Sequence, residues 1–311
     1  MTTARKHTQP NPRIGFLACG SAAFLWGLGF FFGKIALREL PVAHMVLYRF
    51  LFAAVTMLPF VPLRRMQFSG RDWRLLALGA FFGIPVQFLM QFYGLAHTTL
   101  AHASLMVGTM PVILAVGASV FLHERLDAIG WLALAGSCAG AGLIALSHSS
   151  STAGSATVFG DGLVIASMLV SLFWILTNKR LMDRHSPAAV SSYGLLLGAA
   201  MLAAVVIPYA GLPPVRHLSL NVWAASAGSG VLCTTATTLL WNWGMTRVPA
   251  SQAAVLLNLE PMIGSALSVW LFSERLGWTA WLGAALIVGC ATSLTARHST
   301  AVVAEPALSL E

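Results

Sequence analysis

Charged side chains are scarce in this chain: they make up 9% of its 311 residues, against roughly 25% in ordinary soluble domains. Phosphate-binding motifs are also missing. Glycines and a lysine occur at 27–34, but Leu28 and Ile35 occupy positions where a Walker loop needs glycine and a hydroxyl residue, and the dinucleotide spacing fails as well. These absences exclude a soluble domain and argue against nucleotide binding and ATP-driven transport.

Cysteines are few, and groupings of catalytic residues are missing. The four cysteines all fall in apolar segments, with neither disulfide nor metal-ligand spacing. The apolar segments hold no nucleophile with its base, no pair of carboxylates and no cluster of metal ligands. We therefore expect no cofactor and no metal, and we disfavour an intramembrane enzyme.

Long hydrophobic runs dominate what is present. Hydrophobic residues make up 57% of the chain, and the mean hydropathy is +0.78. A helix that crosses a hydrocarbon core of ~30 Å needs about 20 residues. Ten runs approach or exceed this length, and they predict an all-α integral membrane protein with ten transmembrane helices. The predicted spans are 14–37, 41–63, 73–95, 98–122, 127–147, 159–181, 188–210, 220–243, 250–272 and 278–296.

The basic residues indicate how the chain is oriented. With the N-terminus in the cytoplasm, most of the 18 lysines and arginines fall in cytoplasmic segments, as the positive-inside rule requires. Both termini are then cytoplasmic. Because basic groups at membrane boundaries face anionic lipid, the net charge of +8 requires no nucleic-acid partner. The compact loops favour a multi-pass protein of a bacterial inner membrane.

An internal repeat divides the chain. "YGLAHTTLAHASLMVGTMPVI" at 93–113 aligns without a gap on "WGMTRVPASQAAVLLNLEPMI" at 243–263. Because each half would hold five helices, an odd number, the second half enters the membrane inverted. Inverted repeats are typical of secondary transporters, in which two related halves open a central site to either side in turn. The predicted parts are a tail at 1–13, a five-helix half at 14–147, a connecting loop at 148–158, a second half at 159–296 and a tail at 297–311.

Local motifs accompany the repeat: a tryptophan in the first helix of each half, "YRFLFAA" at 48–54, the aromatic-glycine pairs at 93–94 and 243–244, and "EP" at 260–261. With the five-plus-five arrangement, they resemble the EamA-type transporters of the drug/metabolite transporter superfamily. The resemblance implies a central cavity between the halves and export of a small metabolite, such as an amino acid or an amino-acid-derived compound. An uptake carrier for a small organic solute or vitamin, with the same architecture, is the alternative.

Two charged residues lie well inside predicted spans. Glu260 is roughly 15 Å deep, where a carboxylate is costly unless it is paired, protonated or facing water. We expect it to bind a substrate ammonium or to carry a proton; the alternative is a protonated acid bonded to a neighbouring helix. Arg49 could hold a substrate carboxylate, or it could snorkel or pair with a backbone carbonyl. Together the two charges would suit a zwitterion.

Prolines and neutral side chains complete the predicted site. Pro111 and Pro261 should break their helices and free the carbonyls of Val107 and Leu257 beside the central site, a harmless kink being the alternative. The other candidate substrate-binding residues are Trp26, Gln87, Gln91, Tyr93, Trp174, Asn242 and Asn258. For the amides, hydrogen bonding between helices is the competing role, and for tryptophans near a span end it is membrane anchoring.

Overall fold

A computed structural model describes residues 12–62, 68–97, 106–124, 127–147, 158–260, 262–263, 267 and 278–303. These residues are almost entirely helical, and no strand occurs among them. The all-α class predicted from the sequence is confirmed. Pro261 lies outside the described residues, so its predicted effect on the helix stays a prediction.

The helices follow the apolar runs of the sequence, where every backbone polar group can be satisfied within the segment. They are α1 Pro12–Ala36, α2 Val42–Met57, α3 Gly70–Ala96, α4 Met110–Leu122, α5 Ala128–Ser147, α6 Val158–Met182, α7 Pro187–Ala210, α8 with its three consecutive parts Leu220–Gly230, Val231–Ala236 and Thr237–Met245, α9 Ala250–Leu256, and α10 Trp278–Val303.

Five segments are long and apolar enough to cross a membrane: Pro12–Gly33, Val42–Phe60, Gly70–Ala96, Val158–Met182 and Pro187–Ala210. Shorter apolar helices occur at Met110–Leu122, Ala128–Gly140 and Trp281–Cys290. The predicted count of ten crossings, the inverted arrangement, the boundaries of the two halves and the cytoplasmic termini stay predictions.

Serine side chains begin three of the helices. Ser69, Ser186 and Ser219 precede α3, α7 and α8, and each hydroxyl accepts a hydrogen bond from the backbone N–H three residues further on. Such caps satisfy donors that have no partner within the helix. They fix where these helices start, although the apolar runs alone leave that point undefined.

Two helices contain a π-helical segment at matching positions. In α3 it spans Phe82–Val86 and contains Pro85, and in α8 it spans Val231–Ala236. Each segment ends seven residues before the aligned stretches that start at 93 and 243. Single π turns inside α-helices are frequently found at functional sites. Nothing in the hydrophobic pattern predicted them.

Pro111 lies in the first turn of α4 rather than in the middle of a helix. Residues 108–109 form a turn, and α4 begins after it. A proline costs little there because that N–H would have no helical partner. The second half is similar, since α9 ends at Leu256 and Glu260 N–H bonds to the Leu257 carbonyl at 3.0 Å. The expectation of a free Leu257 carbonyl was therefore wrong: the turn tightens and uses it.

The helices pack in two groups with α1 and α6 between them. Helices α2, α3, α7 and α8 contact one another and form what we term bundle A, and helices α4, α5, α9 and α10 form bundle B. Helix α1 packs mainly on α8 and also touches α9 and α10, while α6 packs mainly on α3 and also touches α4. Each bundle therefore draws helices from both parts of the sequence repeat.

Glycines allow the closest helix contacts near the centre. A Cβ added at Gly230 of α8 would lie 2.5 Å from the Arg49 carbonyl oxygen and 2.6 Å from Phe52 Cβ. At Gly27 of α1, it would lie 2.9 Å from the Glu260 carbonyl oxygen. Small residues let membrane helices approach in this way. The backbones that carry Arg49 and Glu260 are thus held against neighbouring helices.

Candidate functional site: a central cavity between the bundles

A cavity of ≈ 100 Å³ lies where bundle A and bundle B face each other across α1 and α6. Its lining is mainly apolar, with a small number of polar side chains, which is typical of sites for small organic ligands. The π segments of both α3 and α8 contribute to the wall through Gly83, Ile84, Cys233 and Thr234. The cavity is therefore built where two of the helices depart from regular geometry.

Arg49 is a buried cation on the bundle A side of the cavity. Its Nε donates to Thr234 Oγ1 at 2.8 Å, and its Nη2 donates to the Cys233 carbonyl at 2.9 Å. The guanidinium also lies over the Phe88 ring, 4.8 Å from its centroid. Arg49 does not snorkel: only 5% of its surface is exposed. The pairing with a backbone carbonyl that the sequence left open is present, and the side chain lines the cavity as well.

Glu260 supplies a carboxylate to the cavity wall and lies four residues after the end of α9. It is partly buried and lines the cavity. It interacts electrostatically with Arg49, yet the nitrogen and oxygen atoms of the two groups are more than 4.0 Å apart. Among the described residues, no side chain or backbone group donates a hydrogen bond to its carboxylate. The site thus presents a cation and an anion that face one cavity without forming a direct pair.

Aromatic side chains form much of the remaining wall. Trp26 of α1 packs on Trp241, with ring centroids 5.2 Å apart, and Trp174 of α6 packs directly on Gly83 of the α3 π segment. Both tryptophans line the cavity, together with Phe88. Since each tryptophan is held by a packed neighbour, the walls are shaped before any ligand arrives.

Six of the predicted site residues lie together in the lining. They are Trp26, Arg49, Gln87, Gln91, Trp174 and Glu260. Three others do not line it. Asn258 is fully buried and donates to Ser137 Oγ at 2.7 Å, Asn242 donates to Ser191 Oγ at 2.8 Å, and Tyr93 lies outside the lining. The two asparagines fill the competing role of hydrogen bonds between helices.

Sequence reasoning missed several lining residues, of which Thr234, Thr238 and Ser191 are the clearest. Thr234 and Thr238 are four residues apart, an interval that places two side chains on one face of an α-helix. That spacing was readable in the sequence. Ser191 is an ordinary helical serine, and no sequence signal marked it.

An ion pair lies near the C-terminal end of α6. Glu124 follows α4 and lies 2.7 Å from Lys179 of α6, and its second oxygen accepts a hydrogen bond from Ser251 N–H at 2.9 Å. Lys179 also donates to the Val248 carbonyl at 3.3 Å. Glu124, Lys179 and Val248 border a cleft of ≈ 350 Å³ that is also lined by Asp183 and Arg247. The pair therefore ties α4, α6 and the start of α9 together.

Acidification is expected to weaken the ion pair between Glu124 and Lys179 and so to lower the stability of the protein. Burial alone would raise the pKa of Glu124, but the Lys179 ammonium and the Ser251 N–H more than offset it, so the pKa lies below its ordinary value of 4.5. Such a carboxylate stabilises the folded state at pH values above the pKa that it has in the unfolded chain. This stability is lost as the pH falls through the lower pKa that it has in the folded protein. We expect the melting temperature of the purified protein to fall below about pH 5, the pair contributing roughly 1 kcal/mol.

The Glu124→Gln variant is the control for this acid effect. It should melt at a lower temperature than the unmodified protein at pH 7, and the difference between the two proteins should shrink as the pH falls. A difference that stays constant from neutral to acid pH would contradict the stabilising role of the ionised carboxylate.

Comparisons with known proteins agree with this architecture. The model of the EamA-like transporter family matches residues 13–146 and again residues 158–295. A solved crystal structure superposes with a TM-score of 0.75 at 18% identity, covering 92% of this chain and 98% of the other, so the likeness shows the fold.

Curated relatives have transporter names. One from Archaeoglobus fulgidus, named an uncharacterized transporter, is 25% identical over 88% of this chain and 94% of its own length. A Bacillus subtilis relative, the uncharacterized transporter YetK, is 22% identical over 88% of this chain and 84% of its own. A Streptantibioticus cattleyicolor relative, named a probable terminal-alkyne amino-acid exporter, is 26% identical over 79% of this chain and 82% of its own.

The resemblance noted in the sequence is thereby confirmed, and the helices above are those of a multi-pass membrane protein. With both family matches in place along its length, the chain belongs to the EamA-like transporter family.

Proposed function

We propose that this chain is a secondary carrier that exports a small zwitterionic metabolite, an amino acid or an amino-acid-derived compound. The observation that carries the proposal is the pair of opposite charges, Arg49 and Glu260, that face one cavity without a direct ion pair. A zwitterion supplies a carboxylate to the guanidinium and an ammonium to the carboxylate. The Streptantibioticus relative, named a probable terminal-alkyne amino-acid exporter, supports the same substrate class.

Transport takes place by alternating access around the cavity. Three features support this step: the family model matches the chain twice, the two π segments occupy matching positions, and the bundles mix helices from both parts of the repeat. Inverted repeats work in this way when one bundle rocks against the other. In this proposal the chain crosses a bacterial inner membrane ten times, with both termini in the cytoplasm.

Glu260 is also the group placed to carry a proton, should transport be coupled to one. It lies in the cavity and carries no hydrogen bond from the described residues, so its protonation would change the charge offered to a ligand. Solute driven by its own gradient is the simpler scheme. The two schemes differ in whether an imposed pH gradient drives accumulation in proteoliposomes.

An untargeted comparison of metabolites tests the proposal. Cells that express the chain and cells with an empty vector are compared for intracellular and external compounds. We expect one or a few amino-acid-like compounds to build up outside only when the chain is present. Depletion of such a compound from the medium would favour the uptake alternative, and matching profiles would contradict constitutive export.

A further inference from the structure

The guanidinium of Arg49 has a defined orientation because two of its three nitrogens are committed to α8. Nε donates to Thr234 Oγ1 and Nη2 to the Cys233 carbonyl, while the Phe88 ring covers the group. Among the described residues, nothing accepts a hydrogen bond from Nη1. That nitrogen lies 3.8 Å from the position of a Cβ added at Gly29, a residue that lines the cavity. Since Arg49 and Gly29 both line the cavity, Nη1 is an unused donor beside α1 at the cavity wall.

Thr234 itself has only one way to interact with Arg49. Its hydroxyl hydrogen is donated to the Ser229 carbonyl at 3.0 Å, five residues back and two residues before the π-helical segment begins. The oxygen then accepts from Arg49 Nε, and the side chain is 4% exposed. A hydroxyl has one hydrogen, so the polarity of this chain of bonds is fixed. Thr234 has no hydrogen left to donate to a ligand.

We infer that Thr234 is a positioning residue, which holds Arg49 so that Nη1 receives the carboxylate of the substrate. The inference rests on the proposed function, in which that carboxylate binds at Arg49. Thr234 is a neutral side chain of the π segment, and it acts on the ligand only through Arg49. A fixed guanidinium loses little side-chain freedom when the ligand binds, which is how preorganisation raises affinity.

The chain offers a matched control one residue away. Thr235 is in the same π segment and is equally buried, but its hydroxyl bonds to the Ala53 carbonyl at 3.0 Å and to Thr56 at 2.8 Å. It ties α8 to α2 without contacting Arg49. Thr235→Val therefore removes the same chemical group, and a comparable interhelical hydrogen bond, while leaving the bonds to the guanidinium in place.

The binding test uses L-leucine and two of its relatives, each lacking one charge. The concentration dependence of thermal stabilisation is measured for leucine, for isoamylamine, which lacks the carboxylate, and for 4-methylpentanoate, which lacks the ammonium. For Thr234→Val we expect the half-maximal leucine concentration to rise about tenfold, with isoamylamine unchanged. Thr234→Ser should restore leucine binding. Thr235→Val should lower the melting temperature but leave the half-maximal leucine concentration unchanged. Equal leucine affinity in Thr234→Val and the unmodified protein would overturn the inference.

A second measurement does not depend on any ligand. In protein labelled with ¹⁵N at arginine Nε, the Arg49 signal is assigned by its loss in Arg49→Lys. We expect Thr234→Val to abolish the slow hydrogen exchange of this N–H, whereas Thr234→Ser and Thr235→Val retain it. An unchanged signal in Thr234→Val would overturn the inference. If leucine fails to stabilise even the unmodified protein, that result counts against the proposed substrate class, and the exchange measurement alone decides whether Thr234 holds Arg49.

Discussion

Replacing Glu260 with glutamine is expected to reduce transport of the identified solute about 100-fold. The substitution keeps the size of the side chain and removes its charge. Among the described residues that line the cavity, Glu260 is the one acidic group, so a bound ammonium would lose its only anionic partner there. A hydrogen bond between charged groups contributes up to about 3 kcal/mol, which corresponds to this factor.

Initial rates should be measured in cells or proteoliposomes with matched amounts of protein in the membrane. Glu39→Gln is the control, because that carboxylate lies in the loop between α1 and α2 and accepts a hydrogen bond from Ser219 N–H at 2.8 Å, away from the cavity lining. We expect it to transport at the unmodified rate. A fully active Glu260→Gln variant would show that Glu260 is a structural residue.

Alanine in place of Gly230 is expected to destabilise the protein by about 3 kcal/mol, and a large part of the expressed chain should fail to reach a folded state. The added Cβ would lie 2.5 Å from the Arg49 carbonyl oxygen and 3.0 Å from Ala53 N. Both are backbone atoms, so no side chain can rotate to make room. Helices α2 and α8 must move apart, and the bonds from Arg49 and Thr235 across this contact weaken together.

The measurement is the melting temperature of purified protein, with the yield of monodisperse protein as a second readout. Gly162→Ala in α6 is the control, because nothing outside its own stretch of helix lies within 4 Å of its added Cβ. Alanine is the better helix former, and we expect this variant to be as stable as the unmodified protein or slightly more so. Equal melting of the two variants would show that α2 and α8 do not need their close contact.

The helical class and the two central charges could be predicted because each rests on a strong energetic rule. Apolar runs of about 20 residues specify membrane helices, and a charge within such a run is costly unless it is paired, protonated or facing water. Both Arg49 and Glu260 line the cavity. The depth of Arg49 along its helix suggested snorkelling as an equal alternative, because the sequence does not show which partners a neighbouring helix supplies.

The amides and the π segments could not be predicted on the same grounds. Gln87 lines the cavity and Asn258 bonds to Ser137, although both are neutral amides in apolar helices. Which of them faces the cavity depends on how each helix is rotated, and a hydrophobic pattern that is apolar on all sides does not record rotation. The π segments change that rotation again. The π segment of α8 contains Thr234, whose hydroxyl bonds to Arg49.

The two charges of the cavity are carried by different segments: Arg49 lies on α2 of bundle A, and Glu260 lies four residues after the end of α9 of bundle B. A movement of α2 against the segment that follows α9 changes the distance between the two charges, and with it the Coulomb energy of a solute that bridges both. Such a solute cannot bind equally well in every arrangement of the bundles. By thermodynamic linkage, its presence must shift the populations of those arrangements, so occupancy of the site and the direction in which it opens are coupled quantities.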